Sequence, residues 1–161
     1  MKCLCNGRQT TIHVLSACPV ILNQGRLTWR HDGIVNYIAG CVDTAKYKVY
    51  ADVSGHQTPG GGTIPADVLV TGDRPDIVIY DNKKMTLNVF ELTVPYEHNV
   101  DRRHTDKLNR YAYMATDITK YKPVIEAFEV GARGYVSSEN KARLKKIHGF
   151  CKKENHSKTV Y

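Results

Sequence analysis

The chain has 161 residues and a mass of 18.1 kDa, which is enough for one compact domain with a hydrophobic core but not for two full domains. Its 23 Lys and Arg residues outnumber the 16 Asp and Glu residues, so the formal net charge is +7. A basic surface attracts polyanions, so nucleic acid is the expected partner. The alternative is a basic surface that binds no partner.

Two exclusions narrow the class of protein further. No apolar run is long enough to cross a bilayer, and the N-terminus lacks the apolar segment of a secretory signal. We therefore expect an intracellular protein with no membrane partner. In that compartment its five cysteines are expected to be free thiols or metal ligands rather than disulfide partners.

The first predicted element is a small zinc knuckle over residues 1–24. Its candidate ligands form a C-x-C-x7-H-x4-C pattern and are Cys3, Cys5, His13 and Cys18. Thiolates and imidazole are typical ligands of a tetrahedral structural zinc site, although the first two thiols are closer in sequence than is usual. The alternative is that the three cysteines are grouped by chance and bind no metal. Cys41 and Cys151 lie outside the pattern, and we interpret them as ordinary thiols.

A helix, a strand and a loop follow. Apolar residues at helical spacing in residues 26–40 predict a first core helix that ends at Gly40. Alternation of apolar and polar residues over 46–53 predicts a strand. Residues 54–65 are predicted to be a loop; their three consecutive glycines are not followed by the Lys-Ser/Thr pair and helix start of a phosphate-binding loop.

Two further strands each carry a carboxylate. Strands over 77–80 and 87–94 are predicted to form a hairpin, so that Asp76 and Glu91 come from neighbouring strands. An unpaired buried carboxylate is costly, so Glu91 needs a basic side chain or a metal ion, and Mg²⁺ accepts such oxygen ligands. The alternative is that Asp76 caps a turn after Pro75 and that Glu91 pairs with a lysine.

The second half of the chain completes a mixed sheet flanked by helices. Residues 99–116 are predicted to form a helix with Asn99 as its N-cap, an extended segment is predicted over 124–130, and Ser137 is predicted to cap a last helix. Residues 151–161 form a polar tail. On the helix after Asn99, four residues lie on or beside one face, which can be a catalytic face or simply a solvated basic one: Arg103, Lys107, Arg110 and Tyr111.

The ordered set of motifs resembles the PD-(D/E)xK restriction-like endonuclease region at the C-terminal end of site-specific non-LTR retrotransposon polyproteins. The residues that carry this resemblance are the Cys-Cys-His-Cys cluster, Arg30-His31-Asp32, Arg74-Pro75-Asp76, Glu91-Leu92-Thr93-Val94-Pro95-Tyr96-Glu97, and Lys107 with Tyr111. One position departs from the motif, because Thr93 stands where its lysine is expected. In the similar retrotransposon nucleases the lysine lies on the following helix, and Lys107 is then its counterpart.

The resemblance implies an α/β restriction-endonuclease-like core over residues 25–150 and a nuclear enzyme that nicks target DNA. Asp76 and Glu91 would bind Mg²⁺ or Mn²⁺, and Lys107 and Tyr111 would complete the catalytic set. DNA is the implied partner, and the RNA template of the element is a second one. The candidate DNA contacts are Arg30, His31, Arg74, Arg103 and Arg110. The alternative is a nucleic-acid-binding remnant without catalytic activity.

Overall fold

The computed structural model describes residues 2–53, 74–111 and 121–152. Its centre is a four-stranded mixed sheet whose strands lie in chain order: β1 (Lys48–Ala51), β2 (Ile77–Asp81), β3 (Thr86–Thr93) and β4 (Lys122–Glu129). Strands β1 to β3 pair antiparallel, and β4 pairs parallel to β3. The predicted mixed α/β class and the β2–β3 hairpin are therefore confirmed.

Four α-helices accompany the sheet in the described ranges: α1 (Pro19–Asn23), α2 (Arg26–Cys41), α3 (Val100–Tyr111) and α4 (Ser138–His148). A π-helical turn (His13–Ala17) precedes α1, and a 3-10 turn (Glu97–Asn99) precedes α3. None of the described helices combines the length and the apolar composition that crossing a membrane requires. The predicted loop over 54–65, the predicted helix beyond residue 111 and the tail beyond residue 152 lie outside the described residues.

The sheet has a hydrophobic core on each face. On one face, α2 and α4 cover the strands through buried side chains that include Val35, Ile38, Ile77, Phe90, Phe128 and Ile147. On the other face, Tyr111 of α3 packs in a second cluster with Val78, Tyr80, Leu87, Val89 and Tyr121. Alternate residues of β3 point to opposite faces, as its sequence predicts. Each large apolar side chain buried in this way contributes about 1.5–3 kcal/mol.

The position of α3 follows from strand direction. Parallel strands cannot be joined by a tight turn, so the chain must cross one face of the sheet between β3 and β4, and α3 occupies that crossing. The face it covers is the one to which Leu87 and Val89 point. Glu91, two residues further along β3, points to the same face and therefore toward α3.

Of the two helix N-caps that the sequence predicts, one is confirmed and one is wrong. Gly25 precedes α2 with a φ of +69°, a left-handed conformation that glycine adopts readily. Ser137 caps α4, because its hydroxyl accepts a hydrogen bond of 3.1 Å from the Asn140 N–H. The prediction that Asn99 is an N-cap is wrong: the 3-10 turn that starts at Glu97 already makes the backbone helical before α3 begins.

Replacing Ser137 by alanine should reduce the free energy of unfolding by about 1 kcal/mol, since the Asn140 N–H loses its side-chain acceptor. Ser138→Ala is the matched control, because the Ser138 hydroxyl donates to the exposed Glu139 carboxylate. Urea denaturation of both variants measures the difference. Equal stability losses in the two variants would contradict the assignment of the cap.

Candidate active site and metal centre

Four ligand atoms meet near the N-terminus. The Sγ of Cys3 lies 3.4 Å from the Sγ of Cys18, and the Sγ of Cys5 lies 3.0 Å from Nε2 of His13. All four atoms lie within 4.8 Å of one another, so the predicted set is brought together and can hold a metal ion such as zinc. Thiolate and imidazole chemistry fits zinc in particular.

A tight turn makes the short spacing of the first two thiols workable. Lys2 and Arg8 form an antiparallel bridge, the Cys3 N–H donates to the Gly7 carbonyl, and Asn6 has a left-handed φ of 63°. A Cβ at Gly7 would lie 3.2 Å from both the Cys5 sulfur and the His13 ring, so glycine allows the two ligands to approach the turn. Cys3 therefore lies at the end of the first side of a miniature hairpin, and Cys5 lies in its turn.

The thiol of Cys18 is poised to act as a thiolate. The Ile21 N–H, in the first turn of α1, hydrogen-bonds the sulfur and lowers the pKa of Cys18 to about 7 against the opposing effect of burial. A thiolate is the form that binds zinc. The backbone of α1 thus favours the ligand form of this cysteine before any metal is bound.

We predict about one equivalent of zinc per chain by elemental analysis of the purified protein, and its loss in Cys18→Ser. Cys41→Ser is the matched control, because Cys41 lies outside the cluster and should leave the zinc content unchanged. Full zinc retention in Cys18→Ser would remove Cys18 from the ligand set.

A second cluster forms where β2 begins. Asp76 lies one residue before the Ile77–Phe90 pair and so faces Glu91 across the hairpin. The Asp76 N–H donates to Oε1 of Glu91 at 3.1 Å, and the Leu92 N–H donates to Oδ2 of Asp76 at 2.8 Å. Both side chains are buried. Backbone hydrogen bonds therefore hold the two carboxylates side by side inside the protein.

Lys107 reaches both acids from α3. Its Nζ lies 2.7 Å from Oε2 of Glu91 and 3.7 Å from Oδ2 of Asp76. Tyr111, one turn further along α3, is buried, and its ring centroid lies 5.9 Å from the same Nζ. Three of the four predicted catalytic residues thus meet through their charged groups, while Tyr111 packs beside the lysine.

His31 joins this cluster from α2. Its Nε2 lies 3.4 Å from Oδ2 of Asp76, and its Nδ1 lies 3.1 Å from Oδ1 of Asp32. From the sequence, His31 is either a DNA contact or a core-facing residue at the start of a helix, and Asp32 is the nearby candidate for a first-helix acid that could be a third metal ligand. The structure instead puts the imidazole between two carboxylates at the candidate active site.

The charges in this cluster shift one another's pKa values. Burial raises the pKa of Glu91 to about 7, and the negative charge of Asp76 adds to that rise. Burial also opposes ionisation of Asp76, but the His31 hydrogen bond and the Lys107 charge outweigh it and hold the pKa of Asp76 below its usual value. Asp76 is thus stabilised as an anion, whereas burial and the charge of Asp76 favour the protonated form of Glu91.

The remaining candidate DNA-contact residues differ in their partners and in their exposure. Arg30 donates to the Leu15 carbonyl at 3.1 Å and to the Val94 carbonyl at 3.3 Å, so its guanidinium links chain segments. Arg74 pairs with Asp52, and the Arg103 guanidinium lies 3.8 Å from the Asp106 carboxylate. Arg110 is exposed. Exposed arginines remain candidates for DNA contact, whereas Arg30 is largely engaged inside the protein.

Thr93, the residue at the motif's lysine position, has a distinctive hydroxyl. Its Oγ1 is buried and has no hydrogen-bond partner among the residues that the structure describes. Thr93 points to the same sheet face as Glu91. A polar atom beside the acids is therefore available to a water or a ligand.

A third polar group, around Glu129, was not predicted from the sequence. The buried Glu129 of β4 accepts from His104 of α3 at 3.0 Å, and Arg143 of α4 lies 4.0 Å from its other oxygen. His104 precedes Lys107 by one turn, so both helix residues meet carboxylates of the sheet. The only local signal was a glutamate at the end of an apolar strand, which does not reveal its partner.

Comparison with known proteins supplies no family for this geometry. No protein-family model matches the chain, and no curated protein matches it either. The chemistry of the site therefore rests on the residues described above.

The pKa of His31 gives a pH test of this cluster. Hydrogen bonding to Asp76 raises that pKa to about 9, against an unfolded value near 6.5. Its stabilising contribution is thus complete below pH 6.5 and is lost as the pH rises through 9. In buffer without added Mg²⁺, we expect wild type to lose more stability than His31→Gln over this range.

NMR titration of the imidazole checks the same assignment directly. The His31 signal should remain that of the imidazolium ion until the pH approaches 9. Titration near pH 6.5, together with parallel stability curves for wild type and His31→Gln, would contradict the contact with Asp76.

Proposed function

We propose that the chain is a metal-dependent DNA endonuclease that hydrolyses phosphodiester bonds and nicks target DNA for retroelement integration. One observation carries this proposal. Asp76, Glu91 and Lys107 contact one another at distances of 3.7 Å or less at one end of the β2–β3 hairpin. Two carboxylates and a lysine at adjoining positions are the groups that the PD-(D/E)xK motif uses.

The local charge balance supports a bound cation. Three carboxylates surround this point, from Asp32, Asp76 and Glu91, whereas the positive groups in contact with them are Lys107 and His31. Burial is the main cause of the raised pKa of Glu91 and the negative charge of Asp76 adds to it, so a nearby cation would favour the ionised form of Glu91. Oxygen ligands of this kind fit Mg²⁺ or Mn²⁺.

In this proposal Asp76 and Glu91 would hold the metal ion, which would neutralise charge at the phosphate and activate a water. Lys107 holds a proton at Nζ, and its positive charge stabilises the negative charge that develops on the phosphate oxygens. His31 keeps Asp76 ionised by donating from Nε2. Tyr111 packs beside Lys107 and limits the positions its ammonium can take.

The wider biological setting rests on the sequence resemblance. It supports nuclear DNA as the substrate, the RNA template of the element as a second partner, and a role for the zinc-binding segment in nucleic-acid contact. The net charge of +7 favours a polyanionic partner. Exposed Arg74, Arg103 and Arg110 are the candidate phosphate contacts.

One observation favours a second candidate function. Lys107 already lies within 4 Å of both acids, so the buried charges are partly balanced without a metal. A nucleic-acid-binding remnant could keep this arrangement for structure alone. Against it stands the position of the acids: a protein that only binds has no need for carboxylates close to a phosphate backbone that they repel.

Nicking of supercoiled plasmid tests the proposal. We expect wild type to nick in Mg²⁺ or Mn²⁺ but not in EDTA, and we expect Asp76→Ala, Asp76→Asn and Glu91→Ala to lose nicking. DNA affinity should stay equal or rise, since each change removes negative charge. Asp76→Asn is the conservative variant, because its amide oxygen can still accept from the Leu92 N–H.

Asp81→Asn is the matched control, since Asp81 is also buried but lies at the other end of β2, bonded to the turn at Lys83 and Lys84. It should nick like wild type. Wild-type nicking by Asp76→Asn would remove the catalytic assignment. Tight DNA binding without nicking by wild type, in both metals, would favour the non-catalytic function.

A further inference from the structure

Helix α2 carries an aromatic stripe on the side that faces solvent. The stripe consists of Arg26, Trp29, Gly33, Tyr37 and Gly40, which recur at intervals of three and four residues and therefore lie along one line of the helix. Trp29 is 79% exposed and Tyr37 is 74% exposed. The outward side of a helix normally carries charged and polar side chains, so two open rings in line are unusual.

The two glycines of the stripe are not required by the packing of the described residues. A Cβ built at Gly33 or at Gly40 meets no atom within 4 Å. Glycine is less favourable than alanine inside a helix, so the chain keeps an open backbone here at some loss of helix stability. Space beside Gly33, between the two rings, suits a partner that approaches the helix closely.

Charge indicates the class of partner. Residues 2–42 contain one acid, Asp32, and it is paired with His31. The same residues contain four basic side chains, namely Lys2, Arg8, Arg26 and Arg30. The segment that contains the stripe therefore has a net charge of +3, from four basic residues and one acid, and its one carboxylate is part-buried beside His31. This complementarity favours a polyanion over a protein partner.

The rings distinguish single strands from duplexes. Open Trp and Tyr faces stack on bases that are unpaired, whereas the bases of a duplex already stack on one another. Eight residues separate the two rings, which corresponds to about 12 Å along the helix, room for roughly two or three stacked bases.

We propose that the aromatic stripe of α2 binds single-stranded nucleic acid, with bases stacked on Trp29 and Tyr37 and a phosphate beside Arg26. His31 lies on the opposite side of α2, about 200° around the helix from Trp29. This surface is thus separate from the acids of the candidate active site, and the proposal does not depend on cleavage.

Trp29 is the only tryptophan in the chain, so its fluorescence reports on the stripe directly. The full chain is titrated, without added divalent metal and at low salt, with a short single-stranded oligonucleotide and with the duplex of the same sequence. We expect the single strand to quench Trp29 and to bind more tightly than the duplex. Because metal is omitted, the result is independent of whether the protein nicks DNA.

Two variants test the stripe itself. Tyr37→Ala should weaken single-strand binding by roughly tenfold, as expected for loss of one stacking ring. Gly33→Leu should also weaken it by filling the space between the rings, without lowering the melting temperature, since leucine favours a helix more than glycine does. Tyr135→Ala removes another exposed ring, 58% accessible, and should leave binding unchanged.

Three outcomes would overturn the proposal. Equal binding of duplex and single strand with unchanged Trp29 fluorescence would show that the rings do not stack. Equal losses in Tyr37→Ala and Tyr135→Ala would show no preference for the stripe. A fluorescence change that depends on protein concentration alone would indicate that a second copy of the chain covers it.

Discussion

Burial of carboxylates on the α3 face of the sheet is the constraint on which the rest of the structure depends. Glu91 of β3 and Glu129 of β4 point to the same face, and each needs a hydrogen-bonding or cationic partner because a buried carboxylate without one is strongly destabilising. Lys107 and His104, one turn apart on α3, supply those partners. The two pairs fix both the position of α3 along the sheet and its rotation about its own axis.

The N-terminal segment with the Cys/His cluster and the acid cluster are connected through α2. Arg30 hydrogen-bonds the Leu15 carbonyl within the segment and the Val94 carbonyl just after β3, while its neighbour His31 contacts Asp76. A displacement of the N-terminal segment would therefore be transmitted to the acid cluster through a single turn of α2. A metal ion held by the Cys/His cluster would thus be linked to the candidate active site through α2, without direct contact.

The sequence predicts features that depend on local pattern and fails where distant residues meet. Alternation along β3 and the short turn before it suffice to bring Glu91 opposite Asp76, and a serine before a polar first turn suffices to identify Ser137 as a cap. No local signal indicates that His31 reaches Asp76, across 45 positions of sequence. Likewise Asn99 has the right side chain for a cap, but the preceding 3-10 turn removes the need for one.

The whole chain is basic but the cluster around Asp76 and Glu91 is acidic, and this difference bears on function. The chain as a whole is basic, which draws it toward polyanions, yet Asp32, Asp76 and Glu91 form a local acidic point. Phosphodiester chemistry needs both, because the substrate is an anion and the metal that neutralises it is a cation. Purely structural acids would gain most from complete pairing with lysine or arginine. Burial, more than the charge of Asp76, keeps the pKa of Glu91 high despite its contact with Lys107, so a further cation at this point would stabilise the ionised form of Glu91.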